Sequence, residues 1–478
     1  MEKSSLFING EWIINDNQTF FESINPATKE VIGSSCLATE EQVDLAVQAA
    51  NNAYNEWKLT PSPTRANYLS KISSELKKRR KELAEMMTME MGKVLKESIG
   101  EVDVILQHIE YMHGEAKRLI GEIVPSSSPN RTIQMVREPL GVVACITPWN
   151  FPVVLAAYKI FSALITGNTV VWKPASEVAL SAEIFTEVIE QSGIPKGVFN
   201  LVTGSGQTVG NKLATHENVN IIAFTGSTNV GKKITEMGSN TLKRVSLELG
   251  GKNAVIVLRD ANLEEAANGI IQSAFTTTGQ RCTAASRIIV ERSVKAKLID
   301  LLVERTKEMN VGNGLVEESD IGPVVNESQL ETIESYVHQA VQEGGKVEIG
   351  GKRGSDLEGY FYEPTIISNV KPTDTIAHEE IFGPVLAVLE VDSYEEAMKI
   401  NNDTIYGLST SIYTNSLHFA NKASREAVSG LVYINSGTSN AEIGVAFGGM
   451  KMSGNGHREV SNHSFDLMTE WKSIYTNY

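Results

Sequence analysis

The sequence predicts an α/β protein. Two doubly wound domains, each a mostly parallel sheet between layers of helix, are joined by a small extended element. Three observations carry this. From residue 140, short β-branched runs alternate with helical stretches. The alternation restarts after Gly251. The chain has 478 residues, too many for one ordinary core.

Taken in order, residues 6–36 read as short extended pieces, with turns at Asn9-Gly10 and Asn25-Pro26. Residues 40–118 are rich in Ala, Glu, Lys and Met and read mostly as helix. The run Lys77-Lys78-Arg79-Arg80-Lys81 falls inside that stretch beside acidic residues, so it reads as a solvated helix face. Residues 121–139 are polar and extended, a linker or an excursion strand. Residues 141–146 then form a buried strand candidate, followed by a helix through Leu164. A strand at 169–172, a helix around 179–191, a strand at 198–202, a further helix and a strand at 221–224 complete one parallel sheet. The second unit opens with the strand 254–258 and runs to about residue 450. The last strand candidate is 472–475.

Charge and composition narrow the function classes. Against 43 Lys and Arg stand 58 Asp and Glu, a net charge of −15. That field disfavours nucleic acid and anionic membranes as partners. No apolar run approaches the ~20 residues of a membrane helix. The chain opens Met1-Glu2-Lys3-Ser4-Ser5, without the pattern of a signal peptide. The three cysteines, Cys36, Cys145 and Cys282, cannot all pair and share no metal-site spacing. Free thiols imply a reducing compartment and a cytoplasmic protein without a metal centre.

Chemistry concentrates in a few turns. Leu263, Ala266, Ala267, Ile270, Ile271, Ala274 and Phe275 recur at helical spacing, and a β-branched run follows at 288–290. Between them lies Gly279-Gln280-Arg281-Cys282-Thr283-Ala284-Ala285, a thiol flanked by residues too small to cover it. Glu248 stands in a second glycine-ended turn, Glu248-Leu249-Gly250-Gly251-Lys252. A nucleophile and a candidate base, each in a tight turn, point to covalent catalysis. Open α/β sheets bind ligands beyond the carboxyl ends of their strands. Lys173-Pro174-Ala175-Ser176, Gly204-Ser205-Gly206 and Gly226-Ser227 fall there. Glycines at such turns let backbone amides approach a phosphate. None is the strict Gly-x-Gly-x-x-Gly, and each alone also reads as an ordinary βα turn.

Together these motifs resemble the aldehyde dehydrogenase superfamily. Pro148-Trp149-Asn150-Phe151-Pro152, Phe224-Thr225-Gly226-Ser227, Glu379-Glu380-Ile381-Phe382-Gly383-Pro384 and Phe447-Gly448-Gly449 extend the likeness over nearly the whole chain. The resemblance implies an aldehyde dehydrogenase-like fold. In it, residues 1–120 and 140–249 form a dinucleotide-binding domain and 250–450 a catalytic domain. Residues 121–139 and 466–478 form an oligomerisation element, making a homodimer or homotetramer. It implies Cys282 as nucleophile, Asn150 with the Cys282 backbone amide as oxyanion hole, and Glu248 as general base. Glu470 matches a second carboxylate proposed in the family for proton relay, and also reads as a structural charge. For the cofactor it implies Lys173 at the adenosine ribose, and Gly226 and Ser227 beside the pyrophosphate. Glu380 would hold the nicotinamide ribose and Phe382 pack near the nicotinamide. Ile146, Thr147, Pro148, Trp149, Ala175, Ser176, Gly206, Gly210, Phe224, Leu249 and Gly250 complete that set.

The chemistry explains the residue types. An aldehyde gives up hydride only after a thiolate has added to it, and water must then release the acid from a thioester. A free thiol has a pKa near ~8.5, so positive charge or a base must help; Arg281 and an oxidised nicotinamide are candidate charges. Coenzyme-A-acylating relatives lack a glutamate at the position of Glu248, so water is the expected acceptor. NAD-preferring relatives commonly carry glutamate where Ser176 stands. Serine leaves space for a 2′-phosphate that Lys173 could pair with, so NADP or NAD is expected, with NADP favoured. Arg281, Thr283, Tyr158 and Phe447 are the expected substrate contacts. The Gly-Gln-Arg-Cys-Thr-Ala-x-Ser-Arg pattern looks most like the α-ketoglutaric semialdehyde dehydrogenases. A guanidinium at 281 would bind an anionic aldehyde; facing away, it would serve a structural bridge. The apolar helix after Asn150 keeps a small aliphatic or aromatic aldehyde open. A non-catalytic structural relative is disfavoured because thiol, base and glycines are all present.

Overall fold

The computed structural model describes residues 2–14, 18–354, 357–439 and 441–478. Two seven-stranded sheets dominate it. The first runs Arg244–Glu248, Val219–Thr225, Val142–Ile146, Thr169–Lys173, Phe199–Leu201, Leu6–Ile8, Glu11–Ile13. Its first five strands are parallel, and the two N-terminal strands close the edge antiparallel. Val142–Ile146 and Thr169–Lys173 are buried throughout, as strands of a sheet covered on both faces must be. Their side chains alternate between two cores. Val143, Cys145, Val170 and Trp172 enter one, with the helices Ser62–Lys78, Leu95–Glu115 and Val154–Thr166. Val142, Ala144, Ile146 and Val171 enter the other, with the helix Glu40–Trp57. That last helix starts at a capping box, in which Thr39 and Gln42 satisfy each other's backbone amides.

The second sheet runs Lys346–Ile349, Thr365–Ser368, Val385–Val391, Ala285–Glu291, Asn253–Val257, Ser409–Tyr413, Leu431–Ile434. It is parallel except at its first edge. Two cores again share its faces: Ala254, Ile256 and Ile289 point one way, Val255, Val257 and Ile288 the other.

How the sheets meet creates the site. In the first sheet, strand order reverses between Val142–Ile146 and Val219–Thr225, so a crevice opens beyond Ile146 and Thr225. Glu248 ends the neighbouring strand, and only four residues separate it from Asn253, which begins the second sheet. The carboxyl ends of the first sheet thus confront the amino ends of the second.

A third sheet is antiparallel and stands apart: Glu122–Val124, Arg131–Pro139 and Thr469–Asn477. Its long pair keeps register from Thr469 opposite Pro139 to Asn477 opposite Arg131. The extended piece begins at Thr469; Ser464–Met468 is a short helix, so residues 466–468 are helical where the sequence reading had them in the extended element. The basic run at 77–81 is not one helix face either. Arg79 breaks it between the helices Ser62–Lys78 and Arg80–Met91. Arg79 pairs with Glu82 and Glu187, and Arg80 with Asp103.

Candidate active site

Cys282 lies one short turn past the helix Leu263–Phe275 and just before the strand Ala285–Glu291. The turn between is strained: Thr277 and Thr278 have φ of 54° and 57°. Gly279 must be glycine, since a Cβ there would lie 2.2 Å from the Gly383 carbonyl oxygen at a φ of +67°. The loop is tied down on both sides. Gln280 Oε1 accepts from the Val325 amide at 3.0 Å, and the Cys282 carbonyl accepts from Asn253 Nδ2 at 2.7 Å. Cys282 is partly exposed. Its thiol is pushed up to about 12, first by burial and then by the carboxylates of Glu380 and Glu248; Arg281 pulls the other way.

Cys282 borders a cavity of about 240 Å³. Pro148, Trp149, Asn150 and Leu155 form one side, and Thr225, Gly226, Ser227, Leu249 and Gly250 another. Gln329, Glu380 and Phe382 close it. The Trp149 and Phe382 rings meet edge to face with centroids 5.5 Å apart. Phe382 stands at a φ of 57°, and Gln329 Nε2 donates to the carbonyls of Ile381 and Phe382 at 2.8 and 3.0 Å. Glu380 Oε1 accepts from the Gly251 amide at 3.0 Å; a Cβ on Gly250 would sit 1.9 Å from its other oxygen. Burial raises the Glu380 carboxyl to about 7. Asn150 is buried and donates through Nδ2 to the Gln280 carbonyl at 3.0 Å, so it is tethered to the cysteine loop.

Glu248 is buried, and neither carboxylate oxygen has a hydrogen-bond partner among the described residues. It does not line the Cys282 cavity. Instead it lies against Gly448, where a Cβ would stand 2.7 Å from Oε1. Burial first and the charge of Glu459 second hold its carboxyl well above the ordinary range; Lys159 works against them. Lys159 donates to both oxygens of Glu459, at 2.6 and 2.8 Å, and to Thr225 Oγ1 at 2.7 Å.

Glu470 does not join this group. It is exposed on the strand Thr469–Asn477 and pairs with Arg244. The carboxylate that acts on Glu248 is Glu459, which sequence reasoning missed because it lies in no local motif; its backbone pairing with Phe447 brings it in. Lys159, Leu155 and Gln329 were missed likewise, and Thr225, though inside the Phe224-to-Ser227 motif, was given no role.

Other expected residues stand nearby without lining the cavity. Ile146 ends the strand beside it and Thr147 follows, its Oγ1 accepting from Trp172 Nε1 at 2.9 Å. Phe224 lies beneath Gly226, whose Cβ would be 2.5 Å from the ring. Lys173 ends the next strand, and Ala175 and Ser176 follow it. Lys173 Nζ is buried, donates to the Pro174 carbonyl at 2.9 Å and is pushed down to about 8 by burial. Ser176 Oγ donates to the Gly204 carbonyl at 3.3 Å. Gly206 and Gly210 bound the helical turn after the strand Phe199–Leu201, with nothing among the described residues within 4 Å of where either Cβ would be. Arg281 donates to Thr276 Oγ1 and the Ser439 carbonyl at 3.0 and 3.3 Å and lies over the Phe151 ring. Thr283 is buried and anchored by its carbonyl, which accepts from Thr438 Oγ1 at 2.7 Å. Tyr158 packs edge-on against His108, and Leu155 rather than Tyr158 reaches the cavity. Phe447 borders a second cavity of about 330 Å³, with Tyr433 and Glu442.

Residues 12–474 match the aldehyde dehydrogenase family. The chain belongs to that family. It is an oxidoreductase acting on aldehydes. Among aldehyde dehydrogenases it is 41% identical to an α-ketoglutaric semialdehyde dehydrogenase of Bacillus subtilis, over 98% of this chain and 97% of the relative. Its structure superposes with a TM-score of 0.97 on a 3,6-anhydro-L-galactose dehydrogenase in complex with NADP, at 37% identity and full coverage of both chains (100% and 100%). A betaine aldehyde dehydrogenase of Staphylococcus aureus in complex with NAD+ gives 0.97 at 35% identity, covering 99% of this chain and 95% of that one. The family uses NAD(P).

Proposed function

We propose that this aldehyde dehydrogenase converts an aldehyde to its carboxylic acid through a covalent bond to Cys282, with NADP or NAD as oxidant. One observation carries the reading: Cys282, Asn150, Glu380, Phe382 and the glycine turns at 226 and 250 border a single cavity at the switch point of the first sheet. The cavity suits the nicotinamide half of a dinucleotide. It runs from Cys282 to Ser227, which caps the helix Thr228–Ser239 and whose amide end suits a phosphate. The open space at Gly206 and Gly210 supports the same fit. On this reading the unit of 1–120 and 140–249 holds the dinucleotide and 250–450 the nucleophile. Lys173 and Ser176 would hold the adenosine ribose, and Glu380 the other ribose. The oxidised nicotinamide supplies the acceptor for hydride.

The chain supplies the rest. Cys282 Sγ adds to the carbonyl carbon as its proton passes to solvent; the oxyanion accepts from Asn150 Nδ2 and the Cys282 amide. After hydride loss the acyl group remains on sulfur as a thioester. Glu248, its proton affinity raised by burial and by the charge of Glu459, takes a proton from water, which attacks the thioester; the acid leaves and the thiol regains its proton from Glu248. The unpartnered Glu248 oxygens support this, since a base must have a free lone pair.

An anionic semialdehyde of the α-ketoglutaric or succinic type is the proposed substrate, with Arg281 facing its carboxylate. A second reading has a specific support. Arg281 is already engaged by Thr276 and Ser439, and Leu155 is apolar, which favours a small aliphatic or aromatic aldehyde. Initial rates with both semialdehydes and propanal, each with NAD and NADP, separate the two. Cys282→Ala abolishes all turnover. Arg281→Leu raises KM for the semialdehydes far more than for propanal; equal effects remove the anionic reading. A preference for NAD above about tenfold in kcat/KM removes the role given to Ser176. The three unpaired thiols support a reducing, cytoplasmic setting. The exposed strand Thr469–Asn477 supports a homodimer or homotetramer.

A further inference from the structure

The helix Leu95–Glu115 begins beside both halves of the site. Glu97 and Glu101 stand four residues apart, on one face of it. Each carboxylate reaches a different loop. Glu101 and Lys93 form an ion pair in full burial. Glu101 Oε1 accepts from the amides of Val153 and Val154 at 2.9 and 2.8 Å, and Lys93 Nζ donates to the Asn150 carbonyl at 3.3 Å. This fixes the loop that presents the Asn150 amide.

Glu97 reaches the other way. Its Oε1 accepts from the Thr277 amide at 2.8 Å. Thr277 and Thr278 are β-branched residues at positive φ, a conformation they adopt only when the surroundings impose it. The Thr278 hydroxyl adds a bond to the Gly322 carbonyl at 3.0 Å. From there the path to the sulfur is short. The Thr277 carbonyl accepts from the Gln280 amide at 2.9 Å, and Cys282 follows two residues later. The Gln280 carbonyl in turn receives Asn150 Nδ2.

We propose that Glu97 is a positioning residue for Cys282: by accepting the Thr277 amide it holds the strained turn that sets the sulfur opposite Asn150. The proposal rests on Cys282 being the nucleophile. The Glu97 carboxylate also carries a charge that Arg281, Lys93 and Lys96 face. Reach and charge can be separated. Glu97→Asp keeps the charge but withdraws the oxygens by one methylene. Glu97→Gln keeps the reach and an acceptor oxygen but removes the charge.

Three quantities are measured on both variants: kcat with NADP, the rate at which iodoacetamide alkylates Cys282, read on its peptide by mass, and the Kd for NADP from tryptophan quenching. Glu97→Asp is expected to lose about tenfold or more in kcat, as a small displacement of a reacting atom does. Alkylation slows with it while Kd holds. Glu97→Gln stays close to the parental protein in all three. The reverse order assigns Glu97 a charge role, and equal losses that include NADP binding assign it a role in folding; either overturns the proposal, as do two unchanged variants. Alkylation needs no turnover, so it stays informative should Cys282→Ala remain active, the result that would remove the nucleophile reading instead.

Discussion

At the residue scale, Cys282 combines two features that pull against each other. It borders a cavity yet carries a thiol pushed up to about 12, because burial and two carboxylates outweigh Arg281. In the ligand-free protein the thiol is therefore protonated at neutral pH. Below its pKa the thiolate fraction grows tenfold per pH unit. Alkylation of Cys282 by iodoacetamide should climb with that slope from pH 7 to 9 without levelling. A plateau near pH 7.5 would mean a cation neutralises this pocket more strongly than Arg281 does. Asn150 suits the oxyanion position for the same reason: it donates without titrating, so it adds no charge beside the carboxylates of Glu380 and Glu248.

At the scale of elements, the ion pair of Lys159 and Glu459 joins the helix Val154–Thr166 to the C-terminal loop and lies beside Glu248. Replacing Glu459 with Gln removes a negative charge that holds the Glu248 proton on. Glu248 then ionises at lower pH, and the acidic limb of log kcat against pH moves down. A limb that stays in place or rises would contradict the coupling. The variant also leaves Lys159 buried without its counter-ion, which costs roughly 3 kcal/mol and should lower Tm. This pair marks the limit of what the chain reveals by itself. Gly226, Gly250, Cys282 and Asn150 were legible because each sits at a turn joining a strand to a helix or to another strand, where local spacing carries the signal. Strand alternation likewise foretold both sheets. Glu459, Lys159 and Gln329 were not legible, because backbone pairing and packing between distant segments bring them in. The resemblance pointed to Glu470 for proton relay while leaving it open as a structural charge; it lies eleven residues after Glu459, exposed and paired with Arg244, as the latter has it.

At the scale of the whole molecule, the third sheet leaves an open edge. Beyond Thr469 its last strand is exposed, with Trp471, Ile474 and Tyr475 among the uncovered residues. A three-stranded ribbon whose long edge strand is exposed invites pairing with another copy. Ile474→Asp should therefore shift the protein toward monomer in analytical ultracentrifugation while thermal unfolding of the two cores changes little. A parental species that is already monomeric, or an unchanged size in the variant, would remove the oligomer reading.

The meeting of the two sheets has a consequence for divergence within the family. Glu97 and Thr277 lie 180 positions apart, on opposite sides of the Glu248-to-Asn253 crossing, yet share one hydrogen bond. A chimaera spliced at Gly251 from two relatives would carry every chemical group intact. It would still misplace its sulfur if the first half brought no acceptor at position 97 for the backbone amide at 277 in the second, so the two positions form one heritable unit that recombination can separate.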